Sequence, residues 1–365
     1  MKEILISGYY GFKNSGDDAL LSCIIKDIEK VYDRDKIVVL SANPEETTRL
    51  YNIRSIDRMN IFSIIAHMGN ASLLVSGGGT LIQDGTSTKS LLYYLGIIML
   101  AKFFGLRTML YANGIGPLIR EKNKKRTKKV LDKVDVITLR DRRSKAALDE
   151  MGIKGNIYVT ADPVFGIENI NSDEGRKLLC RMNVAKDAQC MGISVRPNKK
   201  MNDEILKNIA AAADKCAEKY KLLPVIIPMQ KNKDEGICRR LSGFMKSENI
   251  VLPLDLSLDE ILSVVSNMKL CIGMRLHTLI YSAVEAIPVI GLVYDPKVSG
   301  FMEYSNQDLY LNIDEISESR LTELIDKLMA DYDNIKIKLE KTCCEMKKQT
   351  DKNVIYMKEL LERKE

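Results

Sequence analysis

Short continuous apolar runs alternate along this chain with stretches whose apolar residues recur at helical spacing. Lys2–Gly8 (KEILISG) reads as a strand ending at glycine, and Gly16–Val31 follows as a helix, with Leu20, Leu21, Ile24, Ile25 and Ile28 on one side. Strand-like runs return at Ile37–Leu40, Leu73–Ser76, Thr108–Ala112 and Val136–Leu139, each separated by helix-like sequence. Apolar strands alternating with amphipathic helices predict a parallel sheet covered on both faces. The pattern loosens between Gly166 and Gln189, where NINSDEG (169–175) is polar and turn-rich, and then restarts. Met191–Val195, Leu222–Pro228, Ile250–Leu254, Leu270–Gly273 and Pro288–Tyr294 are the next strands, with helices at Asp203–Tyr220 and Ser257–Met268. The second of these helices opens on capping-box spacing, Ser257 to Glu260. The expectation is an α/β protein of two Rossmann-like lobes, 1–168 and 190–318, joined by a linker at 169–189. A charged helical tail, 319–365, is expected to brace the first lobe.

Composition adjusts this picture little. A length of 365 residues suits two cores better than one, and 45% apolar with 28% charged residues excludes a disordered or fibrous chain. The net charge of +6 suits an anionic substrate or a weak attraction to an acidic membrane surface. Eight cysteines show no CxxC and no zinc-type spacing, and no secretory segment opens the chain, so reduced thiols in a cytoplasmic protein are expected. The most apolar stretch, Leu91–Leu106, is broken by Lys102 and too short for a membrane span. A buried crossover helix is the expectation, with a helix touching a membrane surface as the alternative.

In open α/β sheets ligands sit beyond the carboxyl ends of strands, so the loops after strands carry the candidate chemistry. The first is Gly8–Asp18, GYYGFKNSGDD. Its Gly11-x4-Gly16 spacing imitates a phosphate-binding loop, but Asp17 and Asp18 stand where that motif needs Lys and Ser/Thr. Two carboxylates there would repel a nucleotide phosphate and could instead meet a sugar hydroxyl. Ser76–Asp84 (SGGGTLIQD) carries three consecutive glycines, among them Gly78 and Gly79, that admit a close approach to the backbone. Asn113–Pro117 (NGIGP) follows another strand. Arg120–Lys129 has seven basic residues against Glu121 without interleaved aromatics, which argues against nucleic acid. It reads as a solvated helix face or as a dock for an anionic lipid or a diphosphate-linked substrate. In the second lobe Arg196 ends a strand, and Gly273–His277 (GMRLH) turns from strand to helix with one of only two histidines beside Arg275. Arginine offers a fork for a carboxylate or phosphate, and histidine can move a proton near neutral pH. His67 reads as structural. Lys297 in Asp295-Pro-Lys adds a further cation.

Together these motifs resemble the polysaccharide pyruvyltransferase family, and within it the cell-wall, CsaB-type branch. The match runs through GYYGFKNSGDDAL (8–20), SGGGTLIQD, NGIGP, LRDRRS (139–144), TADPVF (160–165), GISVR (192–196), GMRLH and GLVYDPKV (291–298), and it fades beyond about Gly300. The resemblance implies a GT-B-like fold, with the acceptor on the first lobe and the donor on the second. It implies transfer of a pyruvyl group from phosphoenolpyruvate to a sugar, in this branch as a 4,6-ketal on N-acetylmannosamine of a lipid-linked cell-wall disaccharide. That would place the enzyme in the cytoplasm at the inner face of the membrane, with a peripheral contact to anionic lipid.

The functional positions it carries over are Arg275 and His277 and, less directly, Arg140, Lys297 and Asp17. A carboxylate-plus-phosphate donor needs several cations, which Arg275, Arg196, Lys297 and Arg140 can supply. His277 can act as acid and Asp17 as base, Asp18 being the other candidate for that role. Asn14, Gly78, Gly79 and Leu276 complete the expected binding set. No cofactor and no metal are expected. A second reading, a glycosyltransferase using a nucleotide sugar, rests on Ser282–Pro288 (SAVEAIP), whose Glu285 resembles the acidic helix segment that such enzymes place near a donor ribose. A sugar-binding module is the third.

Overall fold

A computed structural model describes residues 2–363, which divide into two compact units. One runs to Gly166 and takes the chain up again from Met346; the other is Ile167–Glu345. In the first unit, β1 (Glu3–Ser7), β2 (Ile37–Ser41), β3 (Arg54–Asp57), β4 (Ala71–Gly77), β5 (Arg107–Asn113), β6 (Val136–Leu139) and β7 (Ile157–Val159) form a sheet in the order β3-β2-β1-β4-β5-β6-β7. In the second, β8 (Gln189–Ser194), β9 (Leu222–Ile226), β10 (Ile250–Val251), β11 (Met268–Gly273), β12 (Val289–Val293) and β13 (Tyr310–Asn312) follow the order β10-β9-β8-β11-β12-β13. Every pairing among these strands is parallel. The strand order reverses between β1 and β4 in one sheet and between β8 and β11 in the other, which makes those two crevices the natural ligand positions.

Alternation along the strands explains why the central ones read as continuous apolar runs. Leu5, Val38, Leu40 and Leu74 feed the core on one face of the first sheet, while Ile4, Ile6, Val39 and Val75 feed the other. The strands missing from the sequence reading lie at sheet edges: β3 is the polar RSID, and β7 and β13 have three residues each.

Two segments differ from expectation. Residues 169–189 hold a ten-residue helix, Ser172–Arg181, and belong to the second unit. Asn171, which reads as a turn residue, is its cap, accepting from the Glu174 amide at 3.3 Å. Gly175 is a packing contact, because a Cβ there would fall 1.8 Å from the Ser263 carbonyl oxygen on the Leu258–Val265 helix. The tail is shared between the units. Leu321, Ile325 and Leu328 of the Glu318–Ala330 helix join the second unit's core. The helix Tyr332–Glu362 starts in the second unit and ends in the first, where Met357 and Leu360 enter the core and Tyr356 stacks on Tyr158 at 3.9 Å. None of the described helices is long and apolar enough to cross a membrane.

Candidate functional site

In the first unit the Gly8–Asn14 loop leaves β1 at the crevice. Gly11 has φ +80°, and a Cβ on it would lie 2.3 Å from Ser41 Oγ, so the turn requires glycine. Asn14 caps the helix Ser15–Glu29, its Oδ1 accepting from the Gly16 amide at 3.3 Å, while its Nδ2 donates to the Asp17 carboxylate. Across the crevice Gly78 and Gly79 have φ of +50° and +71°, and a Cβ on Gly79 would stand 3.5 Å from Asp17 Oδ1. The structure thus brings Asn14, Asp17, Gly78 and Gly79 together, with one carboxylate against bare backbone. Asp18 faces other groups. Burial, reinforced by Glu46, pushes its carboxyl up to about 7 against an opposing hydrogen bond from Tyr51.

Arg140 follows β6 in this same unit, whereas Arg196, Arg275 and Lys297 lie in the second. Its guanidinium is buried, donating to Thr80 Oγ1 at 2.9 Å and pairing with Asp162 at 3.5 Å and Asp141 at 3.4 Å. Burial raises the Asp162 carboxyl, and Arg140 opposes that rise. Arg140 therefore ties together the loops after β4 and β6, packed so closely on Gly114 that a Cβ there would lie 2.8 Å from Nη2.

Sequence reasoning missed Arg58, which is buried just after β3. It donates to the Gly8 carbonyl at 3.2 Å and to the Tyr94 hydroxyl at 3.4 Å, with the Tyr93 ring at 4.3 Å and the Phe12 ring at 5.3 Å. Its carrier segment is polar and its aromatic partners lie far off in sequence, so no local pattern marks it. His67 is structural, its Nδ1 lying 2.7 Å from Glu3.

The second unit gathers its candidates after β8, β11 and β12. Arg196 donates from Nη1 to the Tyr294 hydroxyl at 2.6 Å, and Lys297 Nζ stands 5.6 Å from the Tyr294 ring. Asp295 caps the helix Pro296–Tyr304, accepting from the Lys297 amide at 3.0 Å and fixing where that lysine starts. Among the described residues neither Arg196 nor Lys297 has a carboxylate partner. Arg275 and His277 open the helix Leu276–Val284, with Leu276 buried between them. Arg275 is largely committed elsewhere. Its Nε donates to Asp234 Oδ2 at 3.1 Å and its Nη2 to Asp234 Oδ1, leaving Nη1 as the nitrogen not spent on that carboxylate. Asp234 is fully buried and also accepts from the amides of Met229 and Gln230 at 3.0 Å each. Nothing local in the sequence announces this pair, whose members are 41 positions apart.

Glu285 caps the far end of the same helix, roughly 12 Å along its axis from His277 at 1.5 Å per residue, and away from the strand carboxyl ends. The second reading thereby loses its main support. Among the described residues no group of three or more His, Cys, Asp or Glu side chains could hold a metal ion.

Residues 14–296 match the family model described as Polysaccharide pyruvyl transferase. No curated protein matches the sequence. Among similar solved structures, S. aureus MnaA in its UDP co-structure has a TM-score of 0.69 at 11% identity, covering 100% of this chain and 99% of that one. Anabaena HepE in complex with UDP-glucose has 0.66 at 12%, covering 99% of each chain. A glycosyltransferase from Rickettsia africae has 0.65 at 12%, covering 100% and 99%. Identities this low establish the fold alone, which is the two-sheet GT-B architecture with a C-terminal helix.

Proposed function

Because the chain belongs to the polysaccharide pyruvyl transferase family and is a pyruvyltransferase, we propose that its donor is phosphoenolpyruvate and its acceptor a sugar diol. The observation that carries the donor assignment is the Arg196–Tyr294–Lys297 cluster: two cations held beside one ring, without a carboxylate partner among the described residues. A small dianion bearing a carboxylate and a phosphate suits such a pair, and the unspent Nη1 of Arg275 offers a third donor.

In the proposed reaction the donor's methylene carbon gains a proton and becomes a methyl group, leaving an oxocarbenium-like centre at the neighbouring carbon. Two sugar hydroxyl oxygens bond to that centre, and the carbon–oxygen bond to phosphate breaks. Two hydroxyl protons are released; one balances the new methyl hydrogen and the other leaves on phosphate. His277 at the helix start is the proposed acid, and Asp17, held by Asn14 beside Gly79, the proposed base. Asp18, whose carboxyl burial pushes up to about 7, is the alternative base, but it faces Glu46 and Tyr51 and not the bare backbone at Gly79. Arg140 is assigned to positioning the Thr80 loop on the acceptor side.

The finer assignment is a 4,6-ketal on N-acetylmannosamine of a lipid-linked cell-wall disaccharide, made at the cytoplasmic face of the membrane. It is supported by the motif resemblance to the cell-wall branch. Isothermal titration with phosphoenolpyruvate and with UDP tests the donor. The proposal expects phosphoenolpyruvate to bind and Arg196→Ala or Lys297→Ala to weaken it; binding of UDP alone would replace it with the glycosyltransferase reading.

A further inference from the structure

On one face of the first sheet, the helices Ile61–Gly69 and Thr88–Phe103 bury Ile64, Met68, Leu91, Leu95 and Ile98 in the core. The opposite side of such helices is ordinarily polar. Here the exposed residues of the first are Ile61, Phe62, Ile65, Ala66 and Gly69, and those of the second are Lys89, Leu92, Gly96 and Phe103. Phe62 and Phe103 are each 83% exposed and the neighbouring Met59 is 73% exposed. Between the helices runs a groove of about 430 Å³ lined by Met59, Ile61, Ile64, Leu92, Ile97 and Leu100. Arg58 and Tyr93 also line it, and Arg58 hydrogen-bonds Gly8, so the groove adjoins the Gly8–Asn14 loop that leads into the helix carrying Asp17. Contiguous apolar surface of this kind needs a cover.

The next helix on this face, Glu121–Leu131, supplies the charge. Arg120 and Asn123 both donate to Thr88 Oγ1, at 2.7 and 3.2 Å, which ties its start to that of Thr88–Phe103. Lys124 and Lys128 are paired with Glu121 and Asp132. Lys122, Lys125 and Lys129 form an exposed stripe and have no acidic partner among the described residues. The two apolar helices contain no acidic residue at all.

We propose that this face of the first unit is a docking surface for an anionic lipid bilayer, with Phe62, Phe103 and Met59 entering the headgroup–acyl boundary and the Lys122–Lys129 stripe on the lipid charge. The fit is one of chemistry: bulky apolar tips on two helices without acidic residues, with the exposed Asp57 carboxylate beside Met59, flanked by unpaired lysines. It extends the lipid-linked acceptor reading above by naming where the enzyme meets the lipid, and it is tested without donor or acceptor, so its failure is distinct from failure of that reading.

The test is cosedimentation of the full chain with phosphatidylcholine vesicles, with and without phosphatidylglycerol. Wild type is expected to partition onto the anionic vesicles and to remain in solution with the neutral ones. The double variant F62S/F103S should bind at least about tenfold more weakly, and each of Lys122→Glu, Lys125→Glu and Lys129→Glu should cost about fivefold. An unchanged melting temperature certifies the serine variant's fold, and the lysine series, exposed and outside the core, tests the same surface should that variant misfold. Wild type that ignores anionic vesicles overturns the proposal, as do variants that all bind like wild type. So does a concentration-dependent dimer that F62S/F103S converts to monomer, which would assign the face to a second copy of the chain.

Discussion

Arg275→Ala separates two jobs that the sequence gives to one residue. Read from the motif alone, the substitution should remove donor binding and leave the fold intact. The structure changes that expectation, because Arg275 is buried with two of its nitrogens on the fully buried Asp234. Without the arginine, the carboxylate keeps only the amide hydrogens of Met229 and Gln230. Removing one partner of a buried pair typically costs about 3–5 kcal/mol. At roughly 2–4 °C per kcal/mol for a unit of this size, the melting temperature should fall by roughly 6–20 °C. Arg275→Leu combined with Asp234→Asn removes both charges, keeps an oxygen for the Met229 and Gln230 amides, and should recover most of that loss. If Nη1 reaches the donor, both variants should still lose about 1.5–3 kcal/mol of phosphoenolpyruvate affinity. Calorimetric melts and isothermal titration on the three proteins give both quantities. Wild-type melting in Arg275→Ala would refute the buried-charge argument. Full donor affinity in the double variant would leave Arg275 a positioning residue only.

Asp18→Asn should flatten the pH dependence of stability. With its carboxyl raised to about 7, the folded protein keeps a proton that the unfolded chain has lost above about pH 4, so stability falls as pH rises through that window and the penalty is complete above it. Urea midpoints on either side of the window, with equal slopes in the two proteins, would contradict this. His277→Ala should lower turnover by about 10²–10⁴-fold with phosphoenolpyruvate affinity kept, while Asp17→Asn should lose turnover with that affinity untouched. Phosphate release alongside titration checks both, and wild-type turnover in either variant removes that residue from the mechanism. Ending the chain at Glu345 strips Met357 and Leu360 from the first unit's core, each worth about 2–5 kcal/mol by analogy with core truncations, so that unit should melt early or fail to fold. A truncated protein with the full melting temperature would count against it.

Much of this architecture is legible because buried parallel strands must be apolar throughout and their crossover helices apolar on one side. Asp203–Tyr220 is read with its observed limits, and Ser257 with its capping box. The candidate loops were equally legible, since the topology sends strand ends to the crevices. Legibility fails where a residue's meaning is set from a distance. Gly175 reads as a breaker until the Ser263 carbonyl is seen against it, and NINSDEG reads as a linker although Asn171 starts a helix there. The four cations expected at the donor look alike in sequence. Folding spends Arg140 and Arg275 on buried carboxylates and leaves Arg196 and Lys297 with a tyrosine.

The helix Tyr332–Glu362 also orders events in time. Residues up to Gly166 share their core with Met357 and Leu360, and they hydrogen-bond across 193 positions from Thr160 to Asn353 and across 254 from Arg107 to Leu361. The second unit, Ile167–Glu345, is one uninterrupted stretch and needs no such closure. Contacts this distant in sequence are paid for in loop entropy before they return any stability, which slows the element that depends on them. The continuous unit can therefore collapse first and, by compacting the intervening chain, shorten the search by which the discontinuous unit acquires its last helix.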